Sequence, residues 1–143
     1  MSAKSGAKKQ QENNYYRLLA KSSRDIIMTQ DVLGKIIYVN PAWTEITGYS
    51  AEETEGKRVV DFISPEYIKG LEERHIERKA GSKEVYSYET EIKNKDGGKT
   101  PLEVRSTPVV SGDGKFEEIL LIGRDLRARK AAKQVLVESE VSY

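Results

Sequence analysis

Short apolar stretches alternate with glycine-containing turns along the chain, and this pattern predicts its strands. Ile26 to Thr29 is a predicted strand, which the turn from Asp31 to Gly34 joins to a second one from Lys35 to Asn40. Two apolar stretches this close together across a turn with glycine are typical of an antiparallel hairpin.

Helix signals occupy the middle of the chain. Pro41 suits the first turn of a helix, and Gly48 ends that helix. Ser50 begins a second short helix, with Glu53 three residues later at the spacing of a capping box. A longer helix is predicted to begin near Ser64-Pro65-Glu66 and to end at Gly81.

Three further strands follow, and apolar and polar residues alternate with a period of two in the first two of them. They are predicted over Tyr86–Ile92, Thr100–Val110 and Phe116–Gly123. Alternation across tight Asp-Gly turns predicts an antiparallel sheet with one buried face. The chain is predicted to be helical from Leu126 onwards, so the order of elements indicates an α+β fold with helices over one face of the sheet.

The two ends of the chain are polar, because the apolar residues are concentrated between Asp25 and Asp125. We therefore divide the chain into four predicted segments. These are a disordered leader (residues 1–11), an amphipathic N-terminal flanking helix (12–23), a folded core (24–125) and a C-terminal helix or linker to a following module (126–143).

Composition narrows the possible functions. The 143 residues suffice for one domain, and 24 Lys and Arg against 23 Asp and Glu argue against general nucleic-acid binding. The chain has no cysteine, which excludes disulfides, thiolate metal sites and cysteine nucleophiles. Neither a membrane-crossing apolar stretch nor a signal-peptide pattern is present, so we predict a cytoplasmic chain whose parent could be anchored elsewhere.

Five motifs, in order and at suitable spacing over about residues 13–130, resemble those of the PAS domain family. The motifs are Tyr38–Trp43, Thr47–Gly56, Lys95–Gly97, Gly112–Gly114 and Arg124–Leu126. The resemblance implies a PAS fold for the predicted core: a five-stranded antiparallel sheet in the order 2-1-5-4-3, with short helices over one face. It also implies a ligand pocket between the sheet and those helices.

The sequence departs from the family pattern at two positions. Thr54 stands where the family usually has leucine, so we expect the second short helix to pack loosely. Arg127 replaces a common threonine, which removes a hydroxyl cap, while Asp125 keeps its own capping role. By resemblance, Asp125, Leu126 and Arg127 would relay the signal from the sheet to the C-terminal helix.

The alternation pattern assigns one face of each strand, together with inward positions on the helices, to the implied pocket. Thr29 is also predicted on that face. The predicted pocket residues are Ile27, Ile37, Val39, Trp43, Val59, Ile68, Leu71, His75, Tyr86, Tyr88, Thr90, Ile92, Leu102, Val104, Leu121 and Gly123. The alternative for most of them is ordinary core packing. Tyr88 and Thr90 differ, because a buried hydroxyl needs a hydrogen-bond partner that a ligand could supply.

Cofactors of known PAS sensors fit this sequence poorly, and we predict none. Light-sensing LOV domains carry a flavin-reactive cysteine after the glycine that matches Gly56, and Val59 occupies that position here. A flavin adduct is therefore excluded. His75 is the sole histidine and lies on the long helix that carries the haem ligand in haem-binding relatives. The ligand position itself aligns nearer Glu72, which favours a structural role for His75 over haem ligation. No metal site is predicted.

The sequence therefore predicts a sensory, signal-transducing module without catalytic residues, which binds a small ligand or partner. The conformational change caused by binding would pass through its C-terminal helix to an output domain such as a histidine kinase. The alternative is a ligand-free dimerisation module whose own side chains fill the pocket. An isomerase-like enzyme would need an ionisable group inside the cupped sheet, and the predicted sheet face offers only Tyr and Thr.

The predicted partners follow from the two flanking helices, whose small apolar stripes indicate a homodimer. Glu138–Tyr143 resembles Gln11–Tyr16, the segment that leads into this domain. That similarity indicates that a further PAS or kinase domain adjoins this one in a longer parent. No nucleic acid is expected as a partner.

Overall fold

A computed structural model describes residues 18–114 and 116–141 of the chain. Its five strands are β1 (Ile26–Asp31), β2 (Ile36–Val39), β3 (Tyr86–Lys93), β4 (Lys99–Val110) and β5 (Phe116–Asp125). They form one antiparallel sheet in the spatial order β2-β1-β5-β4-β3. The predicted α+β class and the strand order are both confirmed.

Four helices with defined bounds accompany the sheet within the described residues. They are α1 (Pro41–Thr47), α2 (Ala51–Thr54), α3 (Ile68–Lys79) and α4 (Arg127–Val141), with two 3₁₀ turns at Val59–Phe62 and Pro65–Tyr67. Residues 18–22 are also helical. The leader over 1–11 and the start of the N-terminal helix lie outside the described residues, and the segment boundaries remain predictions. No helix within the described ranges is long and apolar enough to cross a membrane.

Local signals explain where the short helices begin and end. Pro41 occupies the first turn of α1, and Gly48 follows it with a φ of 85°, a left-handed conformation that suits glycine. The hydroxyl of Ser50 accepts a hydrogen bond of 3.0 Å from the backbone N–H of Glu53 at the start of α2. These features confirm the predicted helix boundaries.

A β-bulge in β2 changes which of its residues face the helices. Consecutive residues of β1, Thr29 and Gln30, pair with Tyr38 and Ile36, which leaves Ile37 as an extra residue. Ile36 is therefore buried, whereas Ile37 is 44% exposed. The prediction that Ile37 faces the pocket is wrong, because strict alternation ignores the bulge.

The face of β1 was also predicted wrongly. Ile26 and Met28 are the buried residues of this strand, whereas Ile27 and Thr29 lie on the opposite, outer face. Ile27 pairs there with Ile122, itself partly exposed. Both faces of β1 carry isoleucine, so periodicity alone could not tell them apart, and the pairing with β5 decides the orientation.

The second short helix packs tightly, contrary to the expectation for Thr54. Its side chain is fully buried, and its hydroxyl accepts a 2.7 Å hydrogen bond from the indole N–H of Trp43. The same hydroxyl donates to the carbonyl oxygen of Ser50 at 2.7 Å. A threonine can do both at once, which the leucine usual in the family cannot. The ring of Trp43 also packs edge-on against Phe62, with ring centroids 5.3 Å apart.

Asn40 connects the N-terminal segment to the sheet. Its side chain is 1% exposed, and its carbonyl oxygen accepts a 2.9 Å hydrogen bond from the backbone N–H of Ile27. Its amide group donates to the backbone carbonyl oxygens of Ala20 and Asp25, both at 2.9 Å. The carboxamide thus satisfies three backbone groups of the preceding chain, all of them buried or partly buried.

Candidate functional site

A cavity of about 330 Å³ lies between α3 and the inner face of the sheet. Small-molecule sites in proteins commonly begin at about this size. Six of the predicted pocket residues line it: Val59, Leu71, His75, Tyr86, Tyr88 and Leu121.

A smaller, more deeply placed cavity of about 40 Å³ adjoins the first and is mostly apolar. Ten predicted residues line it: Trp43, Val59, Leu71, Tyr88, Thr90, Ile92, Leu102, Val104, Leu121 and Gly123. Gly123 keeps this space open, since a Cβ atom there would lie 3.4 Å from Leu102 Cδ1 and 3.6 Å from Ile26 Cβ. Val39 and Ile68 pack in the neighbouring core instead and line neither cavity.

Two arginines of α3, Arg74 and Arg78, line the larger cavity and were missed by the sequence analysis. Arg74 lies three residues after Leu71 and Arg78 three residues after His75, so both share the inward face of α3, and this spacing was the available signal. Charged residues are seldom buried, so arginine was not expected at positions that face the sheet. The sheet face supplies hydroxyl groups, as predicted, but α3 adds ionisable groups that were not expected in the cavity.

Arg78 is 5% exposed, and its guanidinium lies between α3 and β4. Nη1 donates to the carbonyl oxygen of Ser82 at 3.1 Å, and Nη2 donates to the carbonyl oxygen and hydroxyl of Ser106 at 3.1 and 3.3 Å. The Arg78 Cζ atom lies 4.2 Å from the centroid of the Tyr86 ring. Burial lowers the pKa of Arg78, while Nε is buried without a hydrogen-bond partner.

The two tyrosines of β3 pair with these arginines. Arg74 Cζ lies 3.4 Å from the centroid of the Tyr88 ring, a cation–π contact. Burial raises the pKa of Tyr88, so its hydroxyl stays protonated. The hydroxyl of Tyr86 donates to Glu77 Oε2 at 2.6 Å, and this bond raises the pKa of Tyr86. Both phenols are therefore hydrogen-bond donors at neutral pH.

His75 lies half-buried at the mouth of the larger cavity, opposite the turn of the first hairpin. A Cβ atom on Gly34 would lie 3.5 Å from His75 Cε1. Burial lowers the pKa of His75, and the positive charges of Lys79 and Arg58 lower it further, against an opposing effect of Asp31. The neutral imidazole is therefore favoured. No cluster of three or more His, Cys, Asp or Glu side chains suited to a metal ion occurs among the described residues.

The junction between the sheet and α4 is held by three consecutive residues. The backbone N–H of Arg127 donates to Asp125 Oδ1 at 2.9 Å, which confirms that this carboxylate caps the helix. The guanidinium of Arg127 pairs with the same carboxylate through Nε and Nη2 at 3.0 and 2.7 Å. Leu126 is buried, and its N–H donates to the carbonyl oxygen of Pro101 on β4 at 2.9 Å.

A five-stranded antiparallel sheet in this order, cupped around a cavity beneath short helices and leading into a terminal helix, defines the PAS class of sensory domains. The family model described as PAS domain matches residues 24–128, and the chain belongs to that family.

Its relatives include a sporulation kinase and a transport sensor protein. Sporulation kinase A of Bacillus subtilis (strain 168) is 32% identical over 132 residues, which cover 92% of this chain and 21% of the kinase. The C4-dicarboxylate transport sensor protein DctS of Rhodobacter capsulatus is 22% identical over 131 residues, covering 90% of this chain and 20% of that protein. The chain thus spans about a fifth of the length of these curated relatives.

A solved structure shares the fold. It is a domain of the sensory box sensor histidine kinase/response regulator from Geobacter sulfurreducens, with a TM-score of 0.64 and 26% identity. The similarity covers 80% of this chain and 94% of that domain. This chain is therefore a PAS sensory domain homologous to domains of histidine kinases.

Proposed function

We propose that this PAS domain binds a small ligand between the sheet and α3. The conformational change that follows binding would pass through α4 to an output domain such as a histidine kinase. One observation carries the proposal: β5 borders both cavities and also leads into the helix. Leu121 and Gly123 line the cavities, and Asp125 at the end of the same strand caps α4. A ligand that shifts β5 would therefore alter the orientation of α4.

We assign no catalysis to this domain. The arginines and tyrosines that line the cavity hold their protons and so cannot act as general bases. A flavin could not form a cysteinyl adduct with this protein, because the sequence has no cysteine. Four statements stay predictions. His75 has a structural role instead of binding haem, and no nucleic acid is a partner. PAS or kinase domains adjoin this one, and its location is cytoplasmic.

Replacing Asp125 with alanine tests the relay. The change removes the acceptor for the Arg127 N–H and the three side-chain hydrogen bonds that hold the guanidinium. We expect a loss of about 1 kcal/mol in the free energy of unfolding. Hydrogen–deuterium exchange should show weaker protection over residues 126–135, while the thermal transition of the core stays cooperative.

Asp125→Asn is the matched control, since asparagine retains an acceptor for the Arg127 N–H but removes the charge. Protection of α4 should then remain close to that of the unaltered protein. Unchanged protection in Asp125→Ala, or unfolding of the entire domain, would show that Asp125 is not the junction between sensor and output.

A ligand-free dimerisation module is the second candidate function, and four exposed apolar side chains favour it. Leu18 and Leu19 in the N-terminal segment and Val135 and Leu136 in α4 are 50% to 65% exposed. Exposed apolar side chains on both flanking helices fit a homodimer contact through those helices.

Native mass spectrometry of the dialysed protein separates the two candidates in a single spectrum. The sensory function predicts a retained small molecule on the folded protein, or its return after exposure to cell extract. The dimerisation module predicts a dimer with no added mass under every condition. A dimer that also holds a small molecule would support sensing by a dimeric domain.

A further inference from the structure

We propose that the ligand of the larger cavity is a small organic acid, with a carboxylate bound by Arg74 and Arg78 and an apolar body directed toward the deeper cavity. The inference rests on the proposed function, since it names the ligand class of the same pocket. It is carried by the charge of the cavity, by an unused buried donor and by the adjoining apolar space.

The larger cavity has an excess of positive charge. Among the described residues that line it, Arg58, Arg74 and Arg78 are cationic, and only Glu72 carries a carboxylate. No carboxylate oxygen of the described residues lies within 4.0 Å of the guanidinium nitrogens of Arg74 or Arg78. An anion in this cavity would therefore meet positive charge that the protein's own carboxylates compensate only in part.

Arg78 is the residue whose charge most needs a partner. Only 5% of its surface is exposed, and its three hydrogen bonds go to uncharged oxygens of Ser82 and Ser106. Nε remains a buried donor without an acceptor. Glu77 and Glu84 affect Arg78 only through longer-range attraction. A carboxylate would satisfy this donor and the charge together, which accounts for an otherwise costly arrangement.

The hydroxyl groups of Tyr86 and Tyr88 belong to rings that contact the guanidinium groups of Arg78 and Arg74. Tyr88 is held under Arg74, and its raised pKa keeps its proton in place for donation to an anion. The deeper cavity continues from this point, and Val59, Leu71, Tyr88 and Leu121 line both spaces. The second space is lined mainly by aliphatic and aromatic side chains, together with Arg74 and Thr90, so it suits a hydrocarbon body whose carboxylate stays beside Arg74.

Titration of the full 143-residue chain with acids and their neutral amides tests the charge requirement. The matched pairs are benzoate with benzamide and hexanoate with hexanamide, followed by ¹H–¹⁵N NMR. We expect at least one acid to shift resonances of residues around the cavity and its amide to bind at least about tenfold more weakly. Inorganic phosphate, which lacks an apolar body, should bind more weakly than that acid.

Three variants locate the contact. Arg74→Gln and Arg78→Gln should each weaken binding of the acid about tenfold or more. Arg105→Gln removes the same charge from the exposed outer face of β4 and should change the affinity less than about twofold. Arg74→Gln keeps the test valid if Arg78→Gln fails to fold, since the hydrogen bonds to Ser82 and Ser106 belong to Arg78 alone.

The outcomes distinguish the two proposals. Amides that bind as tightly as acids would overturn the carboxylate assignment and leave ligand sensing intact. Phosphate that binds as tightly as the best acid would overturn the organic part of the assignment. Absence of binding by all four probes and phosphate would overturn the anion proposal, while the mass of a retained ligand would still decide the sensory function.

Discussion

Replacing Asn40 with alanine should lower the free energy of unfolding by about 3 kcal/mol. The carboxamide is fully buried and satisfies the N–H of Ile27 and the carbonyl oxygens of Ala20 and Asp25. Each buried polar group that loses its partner costs about 1–3 kcal/mol, and water that enters the gap recovers part of the sum. Urea denaturation followed by circular dichroism measures the change.

Thr44→Ala serves as the control for this substitution, because Thr44 lies exposed on α1 and should contribute less than about 0.5 kcal/mol. Hydrogen exchange provides the site-specific reading: the amide of Ile27 should lose protection in Asn40→Ala, and the helical residues 18–22 should detach from the core. A loss below about 1 kcal/mol would contradict the bridging role of Asn40.

Replacing Thr54 with valine should cost about 2 kcal/mol, although the two side chains have nearly the same shape. Valine cannot accept the hydrogen bond that Trp43 Nε1 donates at 2.7 Å, and the indole N–H is then buried without a partner. Thermal or urea denaturation would measure the effect, and tryptophan fluorescence reports directly on the altered site, because Trp43 is the one tryptophan in the sequence.

A double-mutant cycle separates this hydrogen bond from packing. In Trp43→Phe the N–H is absent, so adding Thr54→Val should cost at least about 1 kcal/mol less than it does beside tryptophan. Thr54→Ser retains the hydroxyl and should lose only the packing of a methyl group, about 1 kcal/mol. Equal costs of Thr54→Val in both backgrounds would mean that the hydroxyl does not support Trp43.

Much of the architecture could be predicted from local sequence. The turns were identified by glycines such as Gly34 and Gly48, whose positive φ angles show why that residue is needed. The cap of α2 by Ser50 and that of α4 by Asp125 also depend on atoms two or three residues apart. The strand order depends on contacts between distant residues, and its prediction came from the resemblance to the PAS family.

The site was predicted in part, and its errors share a cause. The predicted inner-face residues of β3 and the first half of β4 line the cavities or the core, because the alternation is regular there. Ile27 and Ile37 were misplaced because the orientation of β1 and the bulge in β2 are set by pairing with neighbouring strands. Thr54 was misjudged because its partner is the indole of Trp43, 11 positions earlier.

The sequence by itself determined the types of element, their boundaries and the face that helix α3 turns inward, since these follow from periodicity and from short-range capping. Only the tertiary structure decided the chemistry of the pocket. Arg74 and Arg78 follow the inward periodicity, but their burial depends on the rings of Tyr88 and Tyr86 and on the oxygens of Ser106. A buried guanidinium is tolerated only where distant groups supply its partners, and local sequence does not specify those groups.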